Sequence, residues 1–132
     1  MAKKLSKKSK LDDLQLKVMR VLWAKKEATV LEIQQELASE REFAVTTIGT
    51  ILRRLYNKGL VTFSKTGRQY TYRALIGEEE SKTHVISELI DNWFKGEPSA
   101  LVNHLIRSSE IDESDLEALK RMVDQARKKD KS

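Results

Sequence analysis

Cationic side chains with no carboxylate among them occupy the middle of this 132-residue chain. From Val45 to Leu75 every charged residue is basic: Arg53, Arg54, Lys58, Lys65, Arg68 and Arg73. Guanidinium and ammonium groups neutralise phosphates, and arginine can also bond the O6 and N7 atoms of guanine as a bidentate donor. The stretch therefore predicts contact with a polyanion, with a plain solvated surface as the alternative.

A helical projection places the polar groups of this stretch on one face. Ile48, Leu52 and Leu55 centre the apolar face of a helix that ends at Gly59. The opposite face carries threonine, arginine and asparagine but no acid, which favours a DNA-reading helix over a merely hydrated one. The residues predicted to bind DNA from this helix and its end are Thr46, Thr47, Thr50, Arg53, Arg54, Asn57 and Lys58.

A change of periodicity after this helix predicts a β-hairpin. Residues 60–64 and 70–74 are rich in β-branched and aromatic side chains, and they flank a turn at residues 65–69. Lys65 and Arg68 at the hairpin tip suit phosphate contacts. The aromatic residues expected to pack on the helices are Phe63, Tyr70 and Tyr72.

Two more helices precede this helix and hairpin and would have to support them. Apolar residues at helical spacing predict a first helix from about Asp12 to Lys25, and Thr29 with Glu32 forms a capping box that opens a second. The order helix, helix, helix, hairpin is that of a winged helix-turn-helix, in which the third helix enters the major groove. The predicted fold is therefore mostly α, with a two-stranded wing and a C-terminal helical dimerisation segment.

The C-terminal segment carries apolar side chains that short helices cannot bury alone. Helical periodicity resumes near Ser81, is broken by Gly96 and Pro98, and continues in two shorter helices. An identical subunit is the simplest partner, while packing back onto the winged helix is the alternative. The residues predicted to form the dimer contact are Trp93, Phe94, Leu101, Leu105, Leu116, Leu119 and Met122.

Charge and composition suggest how the chain is divided. Residues 1–10 hold five lysines and no acid, the net charge of the whole chain is +5, and acids outnumber bases after Gly77. We predict a basic flexible tail over 1–10, a winged-helix DNA-binding domain over 11–76 and a helical dimerisation domain over 77–132. The chain has no cysteine, no apolar run long enough to cross a membrane and no signal-peptide pattern, which predicts a cytoplasmic location without membrane insertion.

The sequence lacks the residue patterns that would indicate catalysis or cofactor binding. His84 and His104 have no second histidine at ligand spacing, and thiolate metal sites need cysteine. No glycine-rich phosphate loop, nucleophile elbow or paired-carboxylate signature is recognisable. We therefore expect no enzyme activity, catalytic residue, metal site or cofactor. The alternative to DNA binding is a winged-helix module that binds another protein.

Three motifs carry a family resemblance. They are L-x-x-x-V-M-x-V-L-W over residues 14–23, TIGTILRRLYNKG over 47–59 and GRQYTY over 67–72. With them the chain resembles the penicillinase repressor family (BlaI/MecI/CopY type) from about residue 11 to residue 123. Two positions depart, because many members have a basic residue where Thr46 and Gly49 stand here, and this leaves the operator sequence open.

The resemblance implies a homodimeric repressor that sits on an inverted repeat and controls genes for β-lactam resistance or a similar stress response. It assigns base and phosphate contacts to Thr47, Thr50 and Arg54, and to Arg68 in the wing. The C-terminal cysteine cluster of the copper-responsive branch is missing, so copper sensing is disfavoured.

The resemblance also implies a membrane-bound sensor metalloprotease as a partner. In the β-lactam branch this protease triggers cleavage at an Asn-Phe bond in the dimerisation segment. The matching pair here is His104 and Leu105, the candidate proteolytic site, with Asn103 one place away. A ligand or protein partner that loosens the same interface is the alternative way to relieve repression.

Overall fold

The computed structural model describes residues 11–130, and the side chains of residues 11–128. The predicted basic tail over 1–10 lies outside the described residues. The elements in chain order are α1 (Asp13–Lys25), α2 (Val30–Leu37), α3 (Val45–Asn57), β1 (Val61–Thr66), β2 (Gln69–Ala74), α4 (Glu78–Trp93), α5 (Pro98–Arg107) and α6 (Glu113–Asp130). This order confirms the mostly helical fold with a two-stranded wing.

The chain divides into two compact units, one ending at Ile86 and the other starting at Ser87. Helix α4 therefore begins in the first unit and ends in the second. The predicted domain boundary between residues 76 and 77 lies just before this helix and stays a prediction.

Reciprocal hydrogen bonds fix where α1 and α2 begin. The Asp12 carboxylate accepts from the Gln15 N–H at 2.8 Å, and the Thr29 hydroxyl accepts from the Glu32 N–H at 3.2 Å. In return, the Glu32 carboxylate accepts from the Thr29 N–H at 2.9 Å. Hydrogen bonds from Thr29 hold the pKa of Glu32 below its usual value, the backbone N–H having the larger effect. The predicted capping box at Thr29 is confirmed.

Helices α1, α2 and α3 share one apolar core in the first unit. Its largest fully buried side chains are Met19, Leu22, Ile33, Ile48, Leu52, Leu55, Val18 and Val61. The predicted inward face of α3, centred on Ile48, Leu52 and Leu55, is confirmed, and Ile51 joins it. Burial of this stripe fixes the rotation of α3, so its polar face must be directed outward.

The wing is an antiparallel pair in which Phe63 lies opposite Tyr72 and Thr66 lies opposite Gln69. The turn is therefore only Gly67 and Arg68, shorter than the predicted turn over residues 65–69. Gly67 has a φ of 64°, a conformation that glycine adopts without steric cost. Ala28 exchanges backbone hydrogen bonds with Tyr72 at 3.0 and 2.8 Å, which ties β2 to the segment before α2. The longer ladder places Lys65 and Gln69 in the strands.

The second unit is helical, and none of its described side chains is buried. Gly96, with a φ of 77°, follows α4, and Pro98 occupies the first turn of α5, where its missing N–H is not needed. The predicted break at Gly96 and Pro98 is confirmed.

Gly49 gives a direct test of packing on α3. It lies inside the helix without a positive φ, and an added Cβ would meet nothing within 4 Å. We expect Gly49→Ala to raise the free energy of unfolding by about 0.5–1 kcal/mol, because alanine loses less backbone entropy in a helix. Urea unfolding followed by circular dichroism measures this. Gly59→Ala is the contrasting variant and should lower stability, since Gly59 has a φ of 79°. A loss of stability in Gly49→Ala would contradict the open space on this face.

Candidate nucleic-acid interface

The outward face of α3 is polar and free of acids. All six residues predicted from the helical projection are exposed: Thr46, Thr47, Thr50, Arg53, Arg54 and Asn57. Because the buried stripe holds the helix in place, these side chains form one continuous surface next to the wing. Such a surface can neutralise phosphates and offer donors to base edges at the same time.

The first turn of α3 adds backbone donors to this surface. The helix begins after Ala44, which makes no side-chain cap hydrogen bond. The N–H groups of Thr47 and Ile48 donate to the Ala44 carbonyl, at 3.0 and 3.2 Å. The earlier N–H groups of the turn have no side-chain cap, and Thr46 and Thr47 lie beside them. An external phosphate oxygen is a suitable acceptor at such a helix start.

Thr50 is restricted in what it can offer to DNA. Its hydroxyl donates to the Thr46 carbonyl at 3.0 Å, so its proton is already engaged. The γ-methyl group and the oxygen lone pairs remain for an external partner. This arrangement suits apolar contact with a thymine methyl or acceptance of a hydrogen bond more than donation to a base.

Lys58 has an internal role in the structure. It follows the last residue of α3, is half-buried, and its Nζ donates to the Gln15 Oε1 at 2.8 Å. Gln15 is only 4% exposed and also accepts from the Asp12 N–H at 3.3 Å. Lys58 therefore links the end of α3 to the start of α1, in addition to its predicted role at the DNA.

We expect Lys58→Met to lower the free energy of unfolding by about 1–2 kcal/mol, because it leaves a buried amide oxygen with a weaker set of partners. Methionine keeps the apolar stem of the side chain, so the change isolates the ammonium group. Denaturant unfolding measures the effect. Lys65→Met, at an exposed wing position, is the matched control and should change stability little. Equal stability of the two variants would show that the contact with Gln15 is unimportant.

The wing brings further basic groups beside α3. Arg68 occupies the turn and is exposed, while Lys65 lies in β1 with its Nζ 5.4 Å from the centre of the Tyr70 ring. Arg68 is thus placed at the very tip, where a DNA backbone would be reached first. Lys65 is held closer to the body of the wing by its cation–π contact.

An aromatic cluster between α3 and the wing was missed at the sequence level. Phe63 lies at its centre, with ring centroids 5.1 Å from Tyr56, 5.2 Å from Tyr70 and 5.7 Å from Tyr72. Tyr72 packs against the core as expected, but Phe63 and Tyr70 are 39% and 40% exposed. The expectation that the wing aromatics pack on the helices holds for Tyr72, which packs against the core, and for Phe63, which contacts Tyr56 of α3, while Tyr70 is in contact with Phe63. The sequence could have predicted this cluster, because residues 70 and 72 are two positions apart and therefore lie on the same face of one strand.

Arg53 lies within electrostatic reach of this cluster. Burial raises the pKa of the Tyr72 phenol, the neighbouring Tyr70 raises it further, and the Arg53 guanidinium opposes the rise. Arg53 therefore belongs both to the polar face of α3 and to the cluster.

The residues predicted to form a dimer contact present apolar surface in the second unit. Trp93, Met122 and Leu119 are 78%, 62% and 37% exposed. The half-buried members of the set are Phe94, Leu101, Leu105 and Leu116. Four more large apolar side chains of this unit are exposed: Leu89, Val102, Ile106 and Val123. Val85 and Ile86, in the part of α4 that belongs to the first unit, are exposed as well.

The candidate proteolytic pair lies within α5. His104 and Leu105 are helical residues near the end of that helix, and the His104 ring is 5.8 Å from the Phe94 ring. A protease needs an extended substrate, so cleavage at this bond requires α5 to unwind locally.

Metal sites and membrane-spanning helices are both absent from the described part of the chain. No group of three or more histidine or acidic residues in that part could hold a metal ion, and none of the described helices is long and apolar enough to cross a membrane.

Comparison with known proteins gave consistent matches over most of the chain. The family model described as penicillinase repressor matches residues 11–125. The transcriptional regulator BlaI of Mycobacterium tuberculosis is 31% identical over 121 residues, which cover 90% of this chain and 86% of that protein. The methicillin resistance regulatory protein MecI of Mammaliicoccus sciuri is 25% identical over 118 residues, covering 89% and 96%. A solved complex structure of hsRosR-SG covers 92% of this chain and 96% of its own, with a TM-score of 0.52 and 21% identity, a likeness of fold alone.

Proposed function

The chain belongs to the penicillinase repressor family, and from this premise we propose that it is a DNA-binding transcriptional repressor that occupies a palindromic operator as a homodimer. The observation that carries the proposal is the exposed polar face of α3, which has no acid and is held outward by a fully buried stripe. A face of this kind, with arginines and no carboxylate, has the charge that phosphates require and can enter the major groove.

We propose a separate role for each part of the interface. The start of α3, with Thr46 and Thr47, holds a phosphate, and Thr50 contacts a thymine methyl. Arg53, Arg54 and Asn57 face the base edges further along the helix, while the wing tip with Lys65 and Arg68 follows the backbone beside the groove.

In this proposal the second unit provides the contact surface of the homodimer. Its exposed apolar side chains need a partner, and a two-fold symmetric partner matches an inverted-repeat operator. Relatives named for penicillinase and methicillin resistance point to a β-lactam-resistance-like or stress-response gene set. A repressor works where the chromosome is, so the proposed location is the cytoplasm.

Relief of repression by cleavage is part of the same proposal. A membrane-bound sensor protease would act on the segment around His104 and Leu105, and loss of α6 would weaken the dimer. The exposed end of α5 at Arg107 and the non-helical residues after it offer the place where local unwinding costs least.

The test of the proposal compares two arginines on sequences selected from a random duplex pool. We expect Arg54→Ala to weaken binding to the selected operator by about 1–3 kcal/mol and random duplex much less, because a bidentate base contact is lost. Arg68→Ala should weaken all duplexes alike and reduce the salt slope by about one unit, as expected for a phosphate contact. Fluorescence anisotropy over a salt series measures both.

The contrast between the two variants makes the result decisive. If Arg54→Ala lost equal affinity for operator and random DNA, Arg54 would be a phosphate contact. A wild-type chain that selects no sequence and binds no duplex would refute the proposed function and favour a module that binds protein.

A further inference from the structure

A groove lies between α3 and the wing. It has a volume of about 650 Å³ and lies entirely within the first unit. One wall is α3 with Arg53 and Tyr56, the other is the wing with Phe63, Tyr70 and Tyr72, and Val30 closes one side. This volume is within the usual range for small-molecule sites.

Four of the ten residues that line the groove are aromatic, and the groove opens to solvent. Phe63 makes ring contacts with Tyr56, Tyr70 and Tyr72 at centroid distances of 5.1–5.7 Å, so the walls are held in place by one another. Three of these rings keep 39–46% of their surface exposed. When an apolar ring covers a preformed, partly hydrated aromatic surface, apolar area is removed from water, and this favours binding.

The positive charge of the groove favours a negatively charged ligand. Arg53 is the charged residue among the described residues that line it, and no carboxylate does so. Arg53 lines the groove together with Tyr72, and beside the lining the Lys65 Nζ lies 5.4 Å from the centre of the Tyr70 ring. Both cations favour an anion at the aromatic surface.

We propose that this groove is a binding site for a small aromatic anion, with a flat body of about two rings and a carboxylate or similar group. The flat body packs against Phe63 and Tyr70, and the anionic group pairs with the Arg53 guanidinium. Thr46 lines the same groove and offers a hydroxyl donor at its edge, whereas the Thr50 hydroxyl already donates to the Thr46 carbonyl.

Occupancy of the groove competes with DNA, and this consequence rests on the proposed function. Arg53, Thr46 and Thr50 belong at once to the groove and to the face of α3 that reads DNA. A bound anion neutralises Arg53 and adds negative charge where a phosphate backbone approaches, so the ligand and the operator exclude one another. The site would thus release DNA directly, without any cut in the second unit.

The experiment uses 2-naphthoate as the probe and the full chain labelled with ¹⁵N. Titration without DNA should shift the backbone amide signals of Gly49, Thr50, Phe63 and Tyr70. Arg53→Gln should weaken the probe by at least about tenfold, as expected for the loss of a charge-assisted hydrogen bond. Arg73→Gln is the matched control, since it removes the same charge from an exposed position of β2 outside the groove, and should leave probe affinity unchanged. The neutral 2-naphthamide should bind more weakly than 2-naphthoate.

Three outcomes would overturn the proposal: no shifts, shifts confined to residues 87–128, or equal weakening by Arg53→Gln and Arg73→Gln. A second arm adds the selected operator, which 2-naphthoate should displace from the wild-type chain. Binding in the groove without displacement would overturn the competition with DNA. Because the first arm contains no DNA, a failure of the proposed function and a failure of the ligand site give different results.

Discussion

Leu116→Asp is expected to lower affinity for the full palindromic operator by about 10²–10⁴-fold, while leaving binding to a single half-site unchanged. The size of the effect follows from the connection between the two DNA-binding first units of the dimer, which we call the heads. Once one head is bound, the other binds its half-site at a high effective concentration. Separate heads lose this advantage although every contact with DNA is intact.

The expectation depends on one face of α6. Leu116, Leu119 and Met122 recur at helical spacing, and the latter two are 37% and 62% exposed in the single chain. Burying that face against a partner removes apolar area from water, which stabilises the dimer. An aspartate on the same face would be buried without an opposite charge nearby, which destabilises the dimer. The substitution therefore makes the dimer much less stable, while the first unit keeps its own core.

Analytical ultracentrifugation and operator anisotropy on the same samples measure the effect. Arg121→Gln is the matched control, because it lowers the net charge by the same single unit at an exposed position on the opposite side of α6. The control should stay dimeric and bind the operator normally. If Leu116→Asp remained dimeric, or became monomeric with full operator affinity, the proposed role of this helix face would be refuted.

Local sequence signals predicted most of the first unit correctly. The start of α2 at Thr29, the buried stripe of α3 and the exposed face with Arg53 and Arg54 depend on residues three or four positions apart, which any helix brings together. The stop at Gly59 is local in the same sense. These features are therefore readable before the tertiary structure is known.

Features that depend on contacts between elements or on pairing between strands were not predictable in this way. The contact between Lys58 and Gln15 joins positions 43 residues apart, so nothing near Lys58 distinguishes it from a DNA-binding lysine. The groove depends on the contact between Tyr56 of α3 and Phe63 of the wing, which no helical or strand periodicity predicts. The length of the wing depends on the pairing of Lys65 with Tyr70 and of Thr66 with Gln69. Strand preference depends on neighbours across the sheet more than on the residue itself.

A specific cut between α5 and α6 is expected to release operator DNA to a similar extent as Leu116→Asp. The target lies in residues 108–112, which are non-helical and follow the end of α5 at Arg107. Ser109 has a φ of 63° and is exposed, so a protease site inserted after it should be reached without unwinding a helix.

The cut separates Leu116, Leu119 and Met122 from both heads while every residue of α3 stays as it was. Only the apolar surface of α4 and α5, near Trp93 and Leu101, would still be connected to the heads, and these shorter faces should hold the dimer poorly. Mass and operator affinity are followed together before and after digestion. The uncut insertion variant must bind like the wild-type chain, and the wild-type chain treated with the same protease must keep its affinity. A cut protein that stays dimeric and bound to the operator would show that α6 is not the part of the second unit on which repression depends.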